Sequence, residues 1–183
     1  MRSKLPVILI ALVGVLFGVG AALLVLSAQP SKSPLTVQDG ASAGAFKVRQ
    51  GQLAPGFSAQ TLDGKPISLN DLKGKRVLVN FWASWCGPCI AETKDLVTAY
   101  AQLKDKNVVF VGVGTSDTAE NLRAFAEKNA IPYLLANDED SKIGNGWGIL
   151  GLPTTIILDE QGRVVTVKNG AVNEKDVMAF FNN

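Results

Sequence analysis

No histidine occurs anywhere in the 183 residues. That excludes a His general base, a Cys/His or Ser/His nucleophile pair, a His-ligated metal and a haem with a His axial ligand. Cysteine is confined to Cys86 and Cys89, too few for a four-thiolate zinc site or an iron–sulfur cluster. Whatever these two do, they do as a pair. The only methionines are Met1 and Met178, so the methionine-rich ligand sets of copper carriers are missing. Charge of one sign is also missing. There are 18 Lys and Arg against 16 Asp and Glu, and Arg2 and Lys4, ahead of the first apolar run, supply the whole excess. The longest basic cluster, Lys73-Gly74-Lys75-Arg76, reads as a solvated loop, so no nucleic-acid partner is expected.

What is present is apolar: 47% of the chain is hydrophobic and 19% charged, which rules out a disordered tail or a fibrous repeat. Residues 5–26 carry no charge and no strongly polar side chain. As a helix rising about 1.5 Å per residue this run spans about 33 Å, enough to cross a bilayer core. It exceeds the 7–15 apolar residues, roughly, of a cleavable signal, although Leu26-Ser27-Ala28 offers a weak cleavage-like site. Arg2 and Lys4 keep the short side in the cytoplasm and send the rest outward. The expected organisation is a cytoplasmic stub over 1–4, a transmembrane signal anchor over 5–26, a flexible tether over 27–45 and a folded domain over 46–183. The tether follows from Gln29-Pro30-Ser31-Lys32-Ser33-Pro34 and the Ser, Ala and Gly beyond it. This makes a single-pass membrane protein whose folded domain is exported. Gly14 and Gly18 form a small-xxx-small pair, but such glycines are common in membrane helices and a monomer is expected.

Within the domain, Asp63-Gly64 between two short alternating runs predicts a β-hairpin with a two-residue turn. Val77-Leu78-Val79-Asn80-Phe81 and residues 108–113 are short, nearly continuous apolar runs, as in central strands covered on both faces. Between them, Thr93, Leu96, Val97, Tyr100 and Leu103 share a helical stripe over about 88–104. Asp117-Thr118-Ala119-Glu120 reads as an N-cap with an acidic partner, opening a helix with Leu122, Phe125 and Ala126 on one face. Residues 154–158 and 164–168 flank a turn, and Asn173 caps a final helix ending near Phe181. An α/β fold follows, a mixed central sheet with helices on both faces. Asn137-Asp138-Glu139-Asp140 reads as a solvated loop without calcium-site spacing, and the glycines around Trp147 as flexible packing.

Trp85-Cys86-Gly87-Pro88-Cys89 falls where the first central strand ends and a helix begins. A C-x-x-C there is a redox motif for a physical reason. Cys86 stands at the helix N-terminus, where free N–H groups and the helix dipole stabilise a thiolate. Cys89 follows one turn later, sheltered, suited to resolve the mixed disulfide that Cys86 forms with a partner. As an inert staple the pair would close almost no loop and so stabilise little.

Val77-Leu78-Val79-Asn80-Phe81, Trp82-Ala83-Ser84-Trp85-Cys86-Gly87-Pro88-Cys89 and Gly151-Leu152-Pro153-Thr154-Thr155 together resemble the thioredoxin superfamily. Leu53-Ala54-Pro55-Gly56-Phe57 and the Leu72-Lys73-Gly74-Lys75 stretch resemble, more narrowly, its membrane-anchored TlpA/ResA branch. The resemblance implies a thioredoxin-like fold extended by the N-terminal hairpin, with Cys86 as nucleophile and Cys89 as resolving cysteine. It makes Pro153 a cis-proline facing the pair, and it assigns client docking to Trp85, Gly87, Pro88, Leu152 and Pro153. No cofactor beyond the redox-active disulfide and no metal are implied. Cytosolic thioredoxins carry a buried aspartate at the position of Asn80, and asparagine cannot take its proton. Glu92, one turn after Cys89, matches a glutamate of the TlpA/ResA branch and is the candidate base.

The implied activity is reduction of protein disulfides, as in cytochrome c maturation, copper-oxidase assembly or general periplasmic reduction. An integral-membrane dithiol supplies the electrons. Gly87-Pro88 is the thioredoxin dipeptide, and thioredoxin itself is reducing at about −270 mV. Three alternatives stand beside this. The pair could run in the other direction as an oxidase or isomerase; two soft thiolates could carry Cu(I); or the domain could be a thiol peroxidase. Against the last, Ala83 occupies the place of the threonine three residues before a peroxidatic cysteine.

Overall fold

The computed structural model describes residues 47–182. The expected anchor and tether lie outside the described residues, and among these no helix is long and apolar enough to cross a membrane. The domain opens with the expected hairpin: β1 (Ser58–Gln60) pairs antiparallel with β2 (Pro66–Ser68), Ala59 opposite Ile67. Its turn is longer than the expected two residues. Thr61 N–H donates to the Lys65 carbonyl at 2.8 Å and Gly64 N–H to the Thr61 carbonyl at 2.9 Å. Leu62, Asp63 and Gly64 therefore form the loop, with Gly64 at φ 82°, the left-handed residue that follows a type I turn in such hairpins.

A 3-10 turn at Leu69–Leu72, boxed by Ser68 and Asp71, leads into β3 (Arg76–Trp82). Then come α1 (Gly87–Leu103), β4 (Val108–Thr115), α2 (Ala119–Lys128), β5 (Leu134–Asp138) and α3 (Lys142–Trp147). β6 (Thr154–Leu158), β7 (Val164–Asn169) and α4 (Glu174–Phe181) complete the chain. The five-stranded sheet runs β5-β4-β3-β6-β7. β3, β4 and β5 are parallel, and β6 and β7 each run antiparallel to the strand before.

Alternation along β3 divides the core. Val77, Val79 and Phe81 face a cluster with Phe57, Ile67 and Trp147, so the hairpin and α3 cover this side. Leu78 faces Leu96, Leu103, Val177 and Phe181 of α1 and α4, and Trp82 joins Leu122 of α2. The buried stripe of α1 is Cys89, Glu92, Thr93, Leu96, Ala99 and Leu103, with Val97 and Tyr100 at its margin. Asn173 caps α4 as expected, boxed with Asp176.

Three local expectations are corrected. The stretch beginning at Asn137 is a solvated turn only in its second half, at Glu139 and Asp140. Asn137 and Asp138 end β5, and Asp138 is buried, accepting the Thr115 hydroxyl and the N–H groups of Ile143 and Gly144 (both 2.9 Å). Trp147 is not loosely packed either: it ends α3 only 1% exposed, its ring 5.5 Å from that of Phe81 and 6.1 Å from that of Phe57. Finally, Thr118 rather than Asp117 caps α2, accepting the N–H of Asn121. Asp117 keeps one oxygen on Thr118 and Asn121 and turns the other to Ser84.

Candidate redox site

β3 ends at Trp82, and after three intervening residues Cys86 becomes the N-cap of α1 at φ −82°, ψ 108°. Its Sγ accepts the backbone N–H of Cys89 at 3.3 Å, an orphan donor of the first turn. Pro88 enters this turn without loss, since its missing N–H would have had no helical partner. Cys86 and Cys89 form a disulfide with Cα atoms 5.2 Å apart. Both are buried, packed with Trp82, Leu122 and Leu152, whereas Gly87 and Pro88 are exposed and Trp85 is 63% exposed.

An open groove of about 580 Å³ runs alongside. Trp85, Cys86, Gly87 and Pro88 form one wall, and the 149–152 loop the other, with Ser116, Ser141 and Asn145 between. Apart from the Cys86 thiol no lining side chain is ionisable. The Leu152–Pro153 peptide bond is cis. Leu152 lines the groove and packs against the cluster holding the pair, while Pro153 is buried directly behind it.

Glu92 stands apart from the groove, 2% exposed between α1 and the sheet. One carboxyl oxygen accepts the side-chain amide of Asn80 and the other the backbone N–H of Val172, both at 2.9 Å. Burial pushes its pKa from 4.5 up to about 7, and the Val172 and Asn80 hydrogen bonds restrain the rise. Burial, with a smaller contribution from Glu92, also drives the Tyr133 phenol above its ordinary value.

The expected residues thus fall into two groups: Trp85, Cys86, Gly87, Pro88 and Leu152 around the groove, and Glu92 behind the pair on the covered face of the helix. Sequence reasoning missed the partners. The sequence shows Asn80 as a departure from aspartate, but not as the donor to Glu92. Its signal was an amide inside an apolar strand, which must find a buried partner. Ser84, Ser116 and Asp117, which hold the loop before Cys86, carried no periodic signal. No group of three or more His, Cys, Asp or Glu side chains among the described residues is placed to hold a metal, and the redox centre is the disulfide itself.

Residues 49–180 match the redoxin family. Thiol-disulfide oxidoreductase ResA of Bacillus subtilis is 30% identical over 147 residues, covering 80% of this chain and 82% of ResA. Thioredoxin-like protein YneN of the same organism is 36% identical over 132 residues, covering 71% of this chain and 77% of YneN. The thioredoxin domain of a thiol-disulfide oxidoreductase from Bacteroides vulgatus superposes with a TM-score of 0.67 at 29% identity, covering 74% of this chain and 99% of that one. With a thioredoxin fold, a cysteine pair at the start of α1 and these relatives, the chain belongs to the redoxin family, and its folded domain is a ResA-like thiol–disulfide oxidoreductase.

Proposed function

We propose that this protein is a membrane-tethered, extracytoplasmic reductase of protein disulfides, with Cys86 as nucleophile and Cys89 as resolving cysteine. The observation that carries the reading is the place of Cys86, at the N-cap of α1 and on the wall of an open groove. In the reduced state the Cys89 N–H that now meets Cys86 Sγ, with the helix dipole behind it, stabilises its thiolate.

The thiolate attacks one sulfur of a client disulfide. A Cys86–client bond forms, the client S–S bond breaks, and the released client thiolate takes a proton. Cys89 then gives up its proton and attacks Cys86 Sγ, freeing the second client thiolate, which is protonated in turn. Two electrons pass to the client, which also gains two protons, one given up by Cys89 and one from the solvent into which Cys86 had ionised, and the protein is left with the Cys86–Cys89 disulfide. Glu92, one turn along α1 from Cys89 and titrating near pH 7, exchanges the proton that Cys89 loses. Trp85, Gly87 and Pro88 receive the client on one side, Leu152 and Pro153 on the other.

The oxidised pair is returned to dithiol by an integral-membrane dithiol donor. The apolar run over 5–26 and the linker over 27–45 keep the domain at the outer face of a bacterial inner membrane. Apoproteins awaiting haem or copper through paired cysteines fit as clients. The test is the reduction potential of the full-length chain, equilibrated against defined thiol–disulfide buffers and counted after alkylation. A value below about −230 mV supports a reductase, and one above about −180 mV reverses the assignment to an oxidase or isomerase.

A further inference from the structure

The loop that delivers Cys86 to the helix is held from outside by two consecutive residues of another loop. Ser84 donates both its backbone N–H (2.8 Å) and its hydroxyl (2.6 Å) to one oxygen of Asp117. Trp85 donates its indole N–H to the Ser116 carbonyl at 3.1 Å. The second Asp117 oxygen accepts the Thr118 N–H at 2.8 Å and the Asn121 side-chain amide at 3.1 Å. Asp117 is 5% exposed. Burial pushes its pKa up, but the hydrogen bonds from Ser84, Asn121 and Thr118 outweigh that and hold the carboxyl below its ordinary value, as an anion.

α2 does not need this carboxylate as its N-cap, because the Thr118 hydroxyl already accepts the Asn121 N–H. Half of the acceptor capacity of Asp117 goes instead to a segment 33 residues earlier. That segment has little else. Between the end of β3 and the start of α1, a Cys86 N–H to Ala83 carbonyl bond of 3.2 Å closes the turn internally, and no strand pairs with it. Ser116, beside Asp117, lies in the left-handed region at φ 54°, a conformation that costs a serine energy and persists where its surroundings enforce it. Its hydroxyl meets that of Ser141 at 2.6 Å, linking the same corner to the groove.

We infer that Asp117 is a positioning residue for the redox pair: through Ser84 it fixes the loop that sets Trp85 on the groove rim and Cys86 at the N-cap of α1. The inference rests on the reductase reading of the site. Thiol–disulfide exchange requires the attacking sulfur to approach along a defined line, so a loop free to shift Cys86 loses rate without losing the fold.

The test uses the full-length chain, reduced and freed of reductant, as Ser84→Ala, Ser84→Thr and Asp117→Asn. Three quantities are read: the rate with insulin as a protein disulfide, the rate with 5,5′-dithiobis(2-nitrobenzoate) as a disulfide that needs no docking, and the reduction potential. Ser84→Ala and Asp117→Asn should slow both reactions about tenfold, given that a displacement of about 1 Å can cost a hundredfold. Ser84→Thr keeps the hydroxyl and should restore both rates. If Ser84→Ala and Asp117→Asn keep the wild-type rates and potential, whatever their thermal midpoints, the cluster is only a brace for α2 and the inference is wrong. Should Asp117→Asn fail to fold, the Ser84→Ala and Ser84→Thr pair decides alone. A wild-type chain inert towards insulin would overturn the reductase reading, while the small-disulfide rates would still judge the clamp.

Discussion

Glu92 on α1 and Asn80 on β3 meet through a 2.9 Å hydrogen bond in which the asparagine amide donates to the carboxyl group. The same amide nitrogen donates to the Thr155 hydroxyl at 3.1 Å, so its side chain joins helix, β3 and β6 at one buried point. An aspartate at 80 would offer no such donors. A glutamate this covered therefore stays in the domain with an amide for a neighbour and with its titration moved to near neutrality.

The first consequence is a pH-dependent stability. The folded state holds the Glu92 proton up to about pH 7, whereas the unfolded chain releases it near 4.5. Between these values the folded state binds more protons, so stability is fully present below the lower one and declines as pH rises towards the upper. The loss is on the order of 3 kcal/mol across the window. Urea denaturation of the oxidised chain from pH 4 to 8 should show the decline in the wild type and not in Glu92→Gln. Parallel curves would mean that the buried carboxyl titrates as it does in water.

The second concerns rate. Glu92→Gln keeps the shape and one of the two acceptor contacts, but it cannot exchange a proton. Reaction of the reduced pair with a protein disulfide should slow, and its rate-against-pH curve should lose the step near neutrality. A curve unchanged in shape would remove Glu92 from the mechanism and leave it a structural acid.

Asn80→Asp should destabilise the chain. Two carboxyl groups would face each other where one donor–acceptor pair now stands, and each would oppose ionisation of the other. The expected loss at pH 7 is roughly 3 kcal/mol, as for a buried charge without its partner, and it should shrink at pH 5. Equal destabilisation at both pH values would point to packing instead of charge.

Trp147 offers a control remote from the disulfide. Its ring fills the space between Phe57 and Phe81, and its indole N–H has no hydrogen-bond partner among the described residues. Trp147→Ala should cost about 3–5 kcal/mol through lost burial and a cavity. Trp147→Phe, which gives up no hydrogen bond, should cost less than half of that. Neither should move the reduction potential, and a clear shift would show that the two core clusters are coupled.

Much of this was legible in the residues because the central strands announce themselves. Val77 to Phe81 and the run from Val108 are apolar on both faces, since helices cover one side and the hairpin with α3 the other. The cysteine pair was equally plain, two thiols one turn apart at a strand–helix junction. β5 and α3 were not. β5 ends in Asn137 and Asp138, whose polarity suggests solvent until the N–H groups of Ile143 and Gly144 are seen to cover the carboxylate. α3 holds Gly144 and Gly146 in six residues, a composition that disfavours helix, and burial of Trp147 overrides it. Asp117 misled for a related reason. Asp and Thr are both good N-caps, and which one serves depends on a loop 33 residues away.

The uncharged walls of the groove bear on how clients arrive. A cleft lined by one sign of charge draws its ligand in from a distance and loses that advantage in salt. With no charged side chain on the walls of this one apart from the reduced Cys86 sulfur, capture at its mouth is expected at the pace of neutral encounters, about 10⁵–10⁶ M⁻¹ s⁻¹, with only a weak dependence on ionic strength. On the proposed reading, selectivity then falls to shape, to the fit of a client against Trp85 and Leu152 on the groove walls. Throughput becomes a matter of how many clients are held within reach, not of how strongly each is drawn in.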